Sequence, residues 1–229
     1  MEFQIFPDNP IANLSKIAYD EKCSLTGRYE RGTDTHTLMS LMFSYIQDNF
    51  PYVKKLQFDD YSSRECSHRT HIDLACFSYL LYTKTWYMKH MNATFVNTAA
   101  DYNNFVNKTE QFLNSKLATS WEVYDVIVTT RHPLPTETMQ DIYAHTTSWP
   151  EFFTEVKDRV GNMTMLCEYM SPWIVRFVKQ FAGLDFKSTP FIMDVPADRI
   201  SYELKHYITS GGKYTRRTSC KRKKSLTLL

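Results

Sequence analysis

The chain has 229 residues, of which 43% are hydrophobic and 23% charged. That length suits one domain, or one domain with a helical extension, and buries enough surface to need no metal or disulfide staple. Six glycines argue against a turn-rich all-β barrel, and the long periodic runs favour a helix-rich α+β class.

The net charge of +2 conceals a division. From Gly211 onward the chain holds Lys213, Arg216, Arg217, Lys221, Arg222, Lys223 and Lys224 and no acid. Removing those seven from 27 basic residues leaves 20 against 25 acidic ones, so the body carries −5. Five cysteines (Cys23, Cys66, Cys76, Cys167, Cys220) form no C-x-x-C pair. No charged-then-apolar leader opens the chain, and no apolar run reaches the ~18 residues that span a bilayer. These features imply an intracellular, reducing setting, cytoplasmic or nuclear, with free thiols. On that view the sequons at Asn13, Asn92, Asn107 and Asn162 are chance matches.

In chain order, residues 1–12 alternate and meet Pro7 and Pro10, predicting an edge strand or ordered arm. Residues 16–31 leave room for one short strand. From Thr35 the period becomes 3.6, with Leu38, Leu41, Met42, Tyr45 and Ile46 on one face and Pro51 as the stop. Residues 53–58 read as a strand and 61–71 as a polar loop. Asp73 caps a helix whose buried side is Leu74, Phe77, Leu81, Thr85 and Met88. A short strand over 92–96 precedes a helix over 99–116 that turns Tyr102, Phe105, Val106, Phe112 and Leu113 inward. The β-branched run 123–130 reads as a strand, with a helical continuation as the alternative, and Pro133 and Pro135 mark a break.

The second half is mostly helical. Ser148 and Glu151 have capping-box spacing, with Pro150 in the first turn and Gly161 near the end. A helix over 163–182 carries Met165, Leu166, Tyr169, Trp173, Phe177 and Phe181. Pro172 bends it or starts it afresh, and Gly183 caps it. Residues 189–195 read as a strand, 197–208 as an amphipathic helix, and 211–229 as a disordered basic tail.

Five constellations carry chemistry. The turn Arg31-Gly32-Thr33-Asp34-Thr35-His36 opens a helix, and helix N-termini attract anions. Lys84 to His90 places Trp86 and Tyr87 near a helix end, where a tyrosine hydroxyl serves as a proton donor or simply as a packing anchor. Cys66, His68, His71 and Cys76 invite a zinc reading, but their spacing lacks paired knuckles, and a buried thiol with solvated histidines is the reading adopted, with no metal. Cys167, between Leu166 and Glu168, reads as an inert core thiol. The basic stretch 213–224 suits phosphate backbones, an anionic surface, or nothing more than solubility.

The loop, the helix after it and the strand ending at Phe58 resemble the GNAT superfamily of coenzyme A-dependent N-acetyltransferases. The segment departs from that pattern at Asp34 and His36, which stand where small residues are required. The resemblance implies an acetyltransferase-like mixed sheet flanked by helices over 1–130, a mainly helical extension over 131–210 packed on it, and the tail. It implies acetyl-CoA held by Arg31, Gly32, Thr33 and Thr35, with Tyr87 protonating the departing thiolate. Residues 28–95 are also similar to uncharacterised proteins of large cytoplasmic DNA viruses, through Gly32-Thr33, Asp60-x-Ser62-x-x-x-Cys66 and Lys84-Thr85-Trp86-Tyr87. The functional expectation is an acetyltransferase-like viral protein, either an active acyl-CoA N-acyltransferase or a catalytically degenerate one. Its alternative is a non-enzymatic virion or interaction protein with a protein partner, whose tail binds nucleic acid or an anionic surface.

Overall fold

In a computed structural model the chain is α+β, a small mixed sheet with flanking helices. The structure describes residues 2–16, 33–67, 70–96 and 98–197. The strand expected within 16–31, the helix over 197–208 and the tail lie essentially outside that set. Hydrogen-bonded strands follow the order β1 (Glu2–Gln4), β2 (Ile11–Lys16), β3 (Lys55–Phe58), β7 (Phe191–Asp194), β6 (Thr94–Phe95). A separate hairpin pairs β4 (Ser63–Glu65) with β5 (His71–Asp73). The chain divides into two compact units, one formed by residues up to 58 together with those from 193, the other by 59–192.

In the first unit β1 runs antiparallel to β2, and β2 runs parallel to β3. A parallel neighbour needs a crossover, and α1 (Thr33–Asn49) lies in that connection. Its buried stripe is Met39, Met42, Phe43 and Ile46, spaced i, i+3, i+4, i+7. The expected face was rotated from this one, since Leu41 and Tyr45 are 44% and 49% exposed. Residues 38–46 are apolar nearly all round, so periodicity alone could not set the phase. The stripe shares its unit with buried Ala12, Leu14, Leu56 and Phe58. Val195 closes the unit by donating its N–H to the Lys54 carbonyl at 2.8 Å.

In the second unit, the segment expected as a polar loop contains the β4–β5 hairpin instead. Its strands are too short and too polar to show alternation. Asp73 ends β5 and caps α2 (Leu74–Tyr82), accepting the Cys76 N–H at 2.8 Å. The helix stops earlier than its apolar pattern suggested, because Thr83 turns left-handed at φ 57°. Its buried residues are Ala75, Cys76, Tyr79, Leu80 and Leu81, so Leu81 alone of the expected set is buried within it. Thr85 is buried but caps a new helix, α3 (Trp86–Met91). In α4 (Thr98–Ser115) Phe105 and Phe112 are buried, whereas Tyr102 and Leu113 face solvent.

The run 123–130 forms α5 (Trp121–Val128), not the strand its β-branched residues favoured. Tyr124, Ile127 and Val128 are buried at i, i+3, i+4, and that packing outweighs β propensity. Next come α6 (Thr136–His145), α7 (Trp149–Val160), α8 (Met163–Met170) and α9 (Ile174–Ala182). Pro172 starts α9 afresh, and Gly183 caps it at φ 62°. Ser148 accepts the Glu151 N–H, and the Glu151 carboxylate reaches back to the Thr147 N–H at 2.6 Å, as the capping-box spacing predicted. Trp149, Phe152, Phe153, Trp173 and Phe177 are at most 1% exposed and form the centre of this unit.

Candidate functional site

The residues expected to form a coenzyme site divide between the two units. Arg31 and Gly32 lie outside the described residues. Thr33 opens α1, and Thr35 is half-buried one turn in. Tyr87 belongs to the second unit, on α3.

The local sequence holds α3 firmly. The Ser78 hydroxyl donates to the Lys84 carbonyl at 2.8 Å, fixing the turn between α2 and α3. Buried Thr85 accepts the Met88 N–H as N-cap. Asn92, left-handed at φ 51°, ends the helix, and Ala93 donates to the Tyr87 carbonyl at 3.2 Å. None of the six α3 side chains is buried. The Trp86 ring meets Tyr87 edge-on at 5.1 Å and tilts against His90 at 5.0 Å, while the Lys89 ammonium sits 4.2 Å over the Tyr82 ring.

Cysteine chemistry departs from expectation. Cys66, at the end of the β4–β5 hairpin, forms a disulfide with Cys167 on α8, with Cα atoms 5.5 Å apart and a sequence separation of 101. The free thiols expected at these two positions are therefore absent, and Cys66 cannot serve a zinc quartet as a thiolate. Spacing gave no hint, because the hairpin that presents Cys66 is itself invisible to periodicity. A second link accompanies the bridge, as the Ser171 hydroxyl donates to the His71 carbonyl at 2.6 Å. Cys76 is the buried thiol anticipated, and burial pushes its pKa far up, which makes it unreactive. Among the described residues, no group of three or more His, Cys, Asp or Glu side chains is arranged to hold a metal.

Several other titratable groups are held by hydrogen bonds. Asp125 accepts from His132 Nε2 at 2.7 Å, and the other ring nitrogen, Nδ1, lies 3.4 Å from the Tyr169 hydroxyl. With Nε2 protonated toward the carboxylate, Nδ1 accepts from Tyr169, and Tyr169 accepts from the hydroxyl of Tyr124. Burial drives both tyrosine pKa values upward, so neither supplies a phenolate near neutral pH. The chain of bonds resembles a catalytic relay in outline, but its inner end is a fully buried tyrosine packed against Trp149 and Phe152. It acts as a polar pin through the aromatic core. Lys116 is similar in kind. Its ammonium donates to the carbonyls of Tyr143 and Thr146 at 2.6 Å each, closing the end of α6, and desolvation lowers its pKa. His145 bonds to Glu155 at 2.8 Å, and that hydrogen bond raises its pKa.

Asp60 stands apart. It is 2% exposed, one oxygen accepts the Ser62 N–H at 3.0 Å, and the other has no hydrogen-bond partner. Burial, with a smaller contribution from the Asp73 carboxylate, raises its pKa above the ordinary 3.8. A raised carboxyl pKa favours the folded state below the unfolded value and loses that advantage as pH climbs through the folded one. Asp60→Asn should therefore stabilise the protein at pH 7 by about 1–2 kcal/mol, the order of an unsatisfied buried group. The gain should fade toward pH 4. Urea midpoints at the two pH values measure this, and a variant less stable than the parent at pH 7 would contradict it.

An open groove of about 660 Å³ runs along α7 beside Glu151, Glu155, Asp158 and Arg159. Its carboxylates are largely engaged already: Glu151 on Thr147, and Glu155 on His145 and Arg159. Tyr87, the described candidate for proton donation, is not among the residues that line it. Against protein-family models, curated proteins and solved structures, the chain has no match. Among the described residues no helix is long and apolar enough to cross a membrane.

Proposed function

We propose that the chain is a non-enzymatic component of a virus particle or similar assembly, and that its basic stretch, residues 213–224, binds nucleic acid. The observation that carries this reading is the Cys66–Cys167 disulfide. Disulfides persist in oxidising settings, among them the virion, and are rare in the reducing cytosol. The viral resemblance over 28–95 points the same way. The pinned histidines, tyrosines and thiol described above support a binding role over a catalytic one. A mildly acidic body with seven cations gathered after Gly211 suits attachment to a phosphate backbone without sequence preference.

A second reading is favoured by one observation. Helix α1 begins at Thr33 and is followed by strand β3, the order that the acetyltransferase resemblance implies. In this reading Arg31, Gly32, Thr33 and Thr35 hold the acetyl-CoA pyrophosphate, and Tyr87 protonates the leaving thiolate.

One purified preparation tests both. Replacing Lys221, Arg222, Lys223 and Lys224 with Ala should shift elution from a DNA column to clearly lower salt; unchanged elution removes the nucleic-acid reading of the tail. On the same preparation, calorimetry with acetyl-CoA, and desulfo-CoA as control, addresses the second reading. Micromolar binding weakened by Arg31→Ala establishes a coenzyme site, and no heat at millimolar ligand eliminates it.

A further inference from the structure

The segment from Leu74 to Ala100 contains Lys84, Lys89 and His90 and no Asp or Glu over 27 residues. In a body that is net acidic, that is a local reversal of charge. The same segment gathers aromatic rings, with Trp86 and Tyr87 half-buried and Tyr82 and His90 exposed. Trp86 and Tyr87 pack edge to face at 5.1 Å, His90 lies 5.0 Å from Trp86, and Tyr82 is 47% exposed beneath the Lys89 ammonium. Such rings usually anchor a core, yet no α3 side chain is buried. The helix is nevertheless well fixed, by the buried Thr85 cap, the Ser78–Lys84 bond and the left-handed Asn92. A rigid, partly exposed aromatic cluster interleaved with cations and free of acids along the chain matches one ligand chemistry. Stacked bases find π-faces and the phosphates between them find ammonium groups.

We propose that the α3 platform, built on Trp86 and Tyr87 with Lys84, Lys89 and His90, binds single-stranded nucleic acid by stacking unpaired bases. The proposal extends the nucleic-acid reading of the chain to a second place, and it stands or falls apart from the basic tail. The tail supplies seven cations and one ring, Tyr214, whereas the platform distinguishes exposed bases from bare backbone. Duplex, whose bases are already stacked, cannot use it.

The test is anisotropy of labelled 15-mers with the full-length chain: oligo(dT), oligo(rU), a fully abasic strand of equal length, and duplex. Oligo(dT) or oligo(rU) should bind at least about tenfold more tightly than the abasic strand, since each stacked base contributes ~1–3 kcal/mol. The comparison of dT with rU shows which sugar is preferred. Trp86→Ala should weaken oligo(dT) binding about 10–100-fold and leave the abasic strand unaffected, while Trp86→Phe should retain most of the affinity. If Trp86→Ala does not fold, the exposed pair Lys84→Glu with Lys89→Glu replaces it and should lose more than about tenfold. Neutralising the tail should weaken all four ligands together while the dT-to-abasic ratio survives, which separates failure of the tail from failure of the platform. Equal affinity for oligo(dT) and the abasic strand, or full affinity in both Trp86→Ala and the Lys pair, overturns the proposal.

Discussion

Replacing Cys66 and Cys167 together by Ser should lower stability by about 2–5 kcal/mol, and reducing the parent protein should have the same effect. The loop they close spans 101 residues, long enough that closure removes much of the unfolded chain's freedom. The bridge also ties a short, polar hairpin to α8. That hairpin has few means of its own to stay docked, because Ser63, Arg64 and Glu65 are all exposed and Ile72 is the main apolar contribution of β5. Without the bridge, the Ser171–His71 hydrogen bond remains as a polar link there, and one such bond contributes only about 1 kcal/mol. For a chain of this size each kcal/mol moves the melting temperature by roughly 2–4 °C. Thermal melts of the parent with and without reductant, and of the double variant, should therefore show a drop of roughly 5–15 °C. Reduced parent and double variant should coincide. A reductant-insensitive melt would mean that the bridge is not formed in the isolated protein.

Trp149→Ala should be among the most damaging single substitutions, at about 3–5 kcal/mol. Trp149 is fully buried and is the first residue of α7. Its ring meets Phe177 edge-on at 4.9 Å, lies 5.3 Å from Phe181, and stacks with Tyr124 and Phe153. Its indole N–H donates to the Ser115 hydroxyl at 2.9 Å, at the end of α4. One side chain thus joins α4, α5, α7 and α9. Alanine leaves a cavity that four elements cannot all close, because each is held by other contacts. Phenylalanine fills most of the space but forgoes the hydrogen bond, so Trp149→Phe should lose less than half as much. Chemical denaturation of both variants gives the comparison, and equal losses would mean that the hydrogen bond rather than the packing dominates.

What the sequence revealed follows from how local each signal is. Asp73, Ser148 and Gly183 act within one helical turn, and each capped the helix expected of it. The strands at 55–58 and 191–194 were legible from short apolar runs. The phase of α1 was not, because both faces carry apolar residues and only its surroundings choose Met39 and Phe43 over Leu41 and Tyr45. The fate of residues 123–128 was decided by aromatic packing around Tyr124, which lies up to 53 residues away in sequence at Phe177. The disulfide was illegible for the same reason at greater range. For the candidate site, the sequence isolated Lys84 to His90 as unusual but not why. Its character came from Thr83 and Thr85, which cut one apparent helix into two and left the second at the surface.

The bridge between Cys66 and Cys167 has a mechanical consequence. A chain drawn out from its two ends transmits tension through the crosslink, so the residues between 66 and 167 are spared. At ~3.3–3.6 Å per extended residue, the 101-residue loop withholds roughly 350 Å of contour length. The oxidised molecule is therefore a short tether even when every helix has given way, and reduction more than half again lengthens its reach.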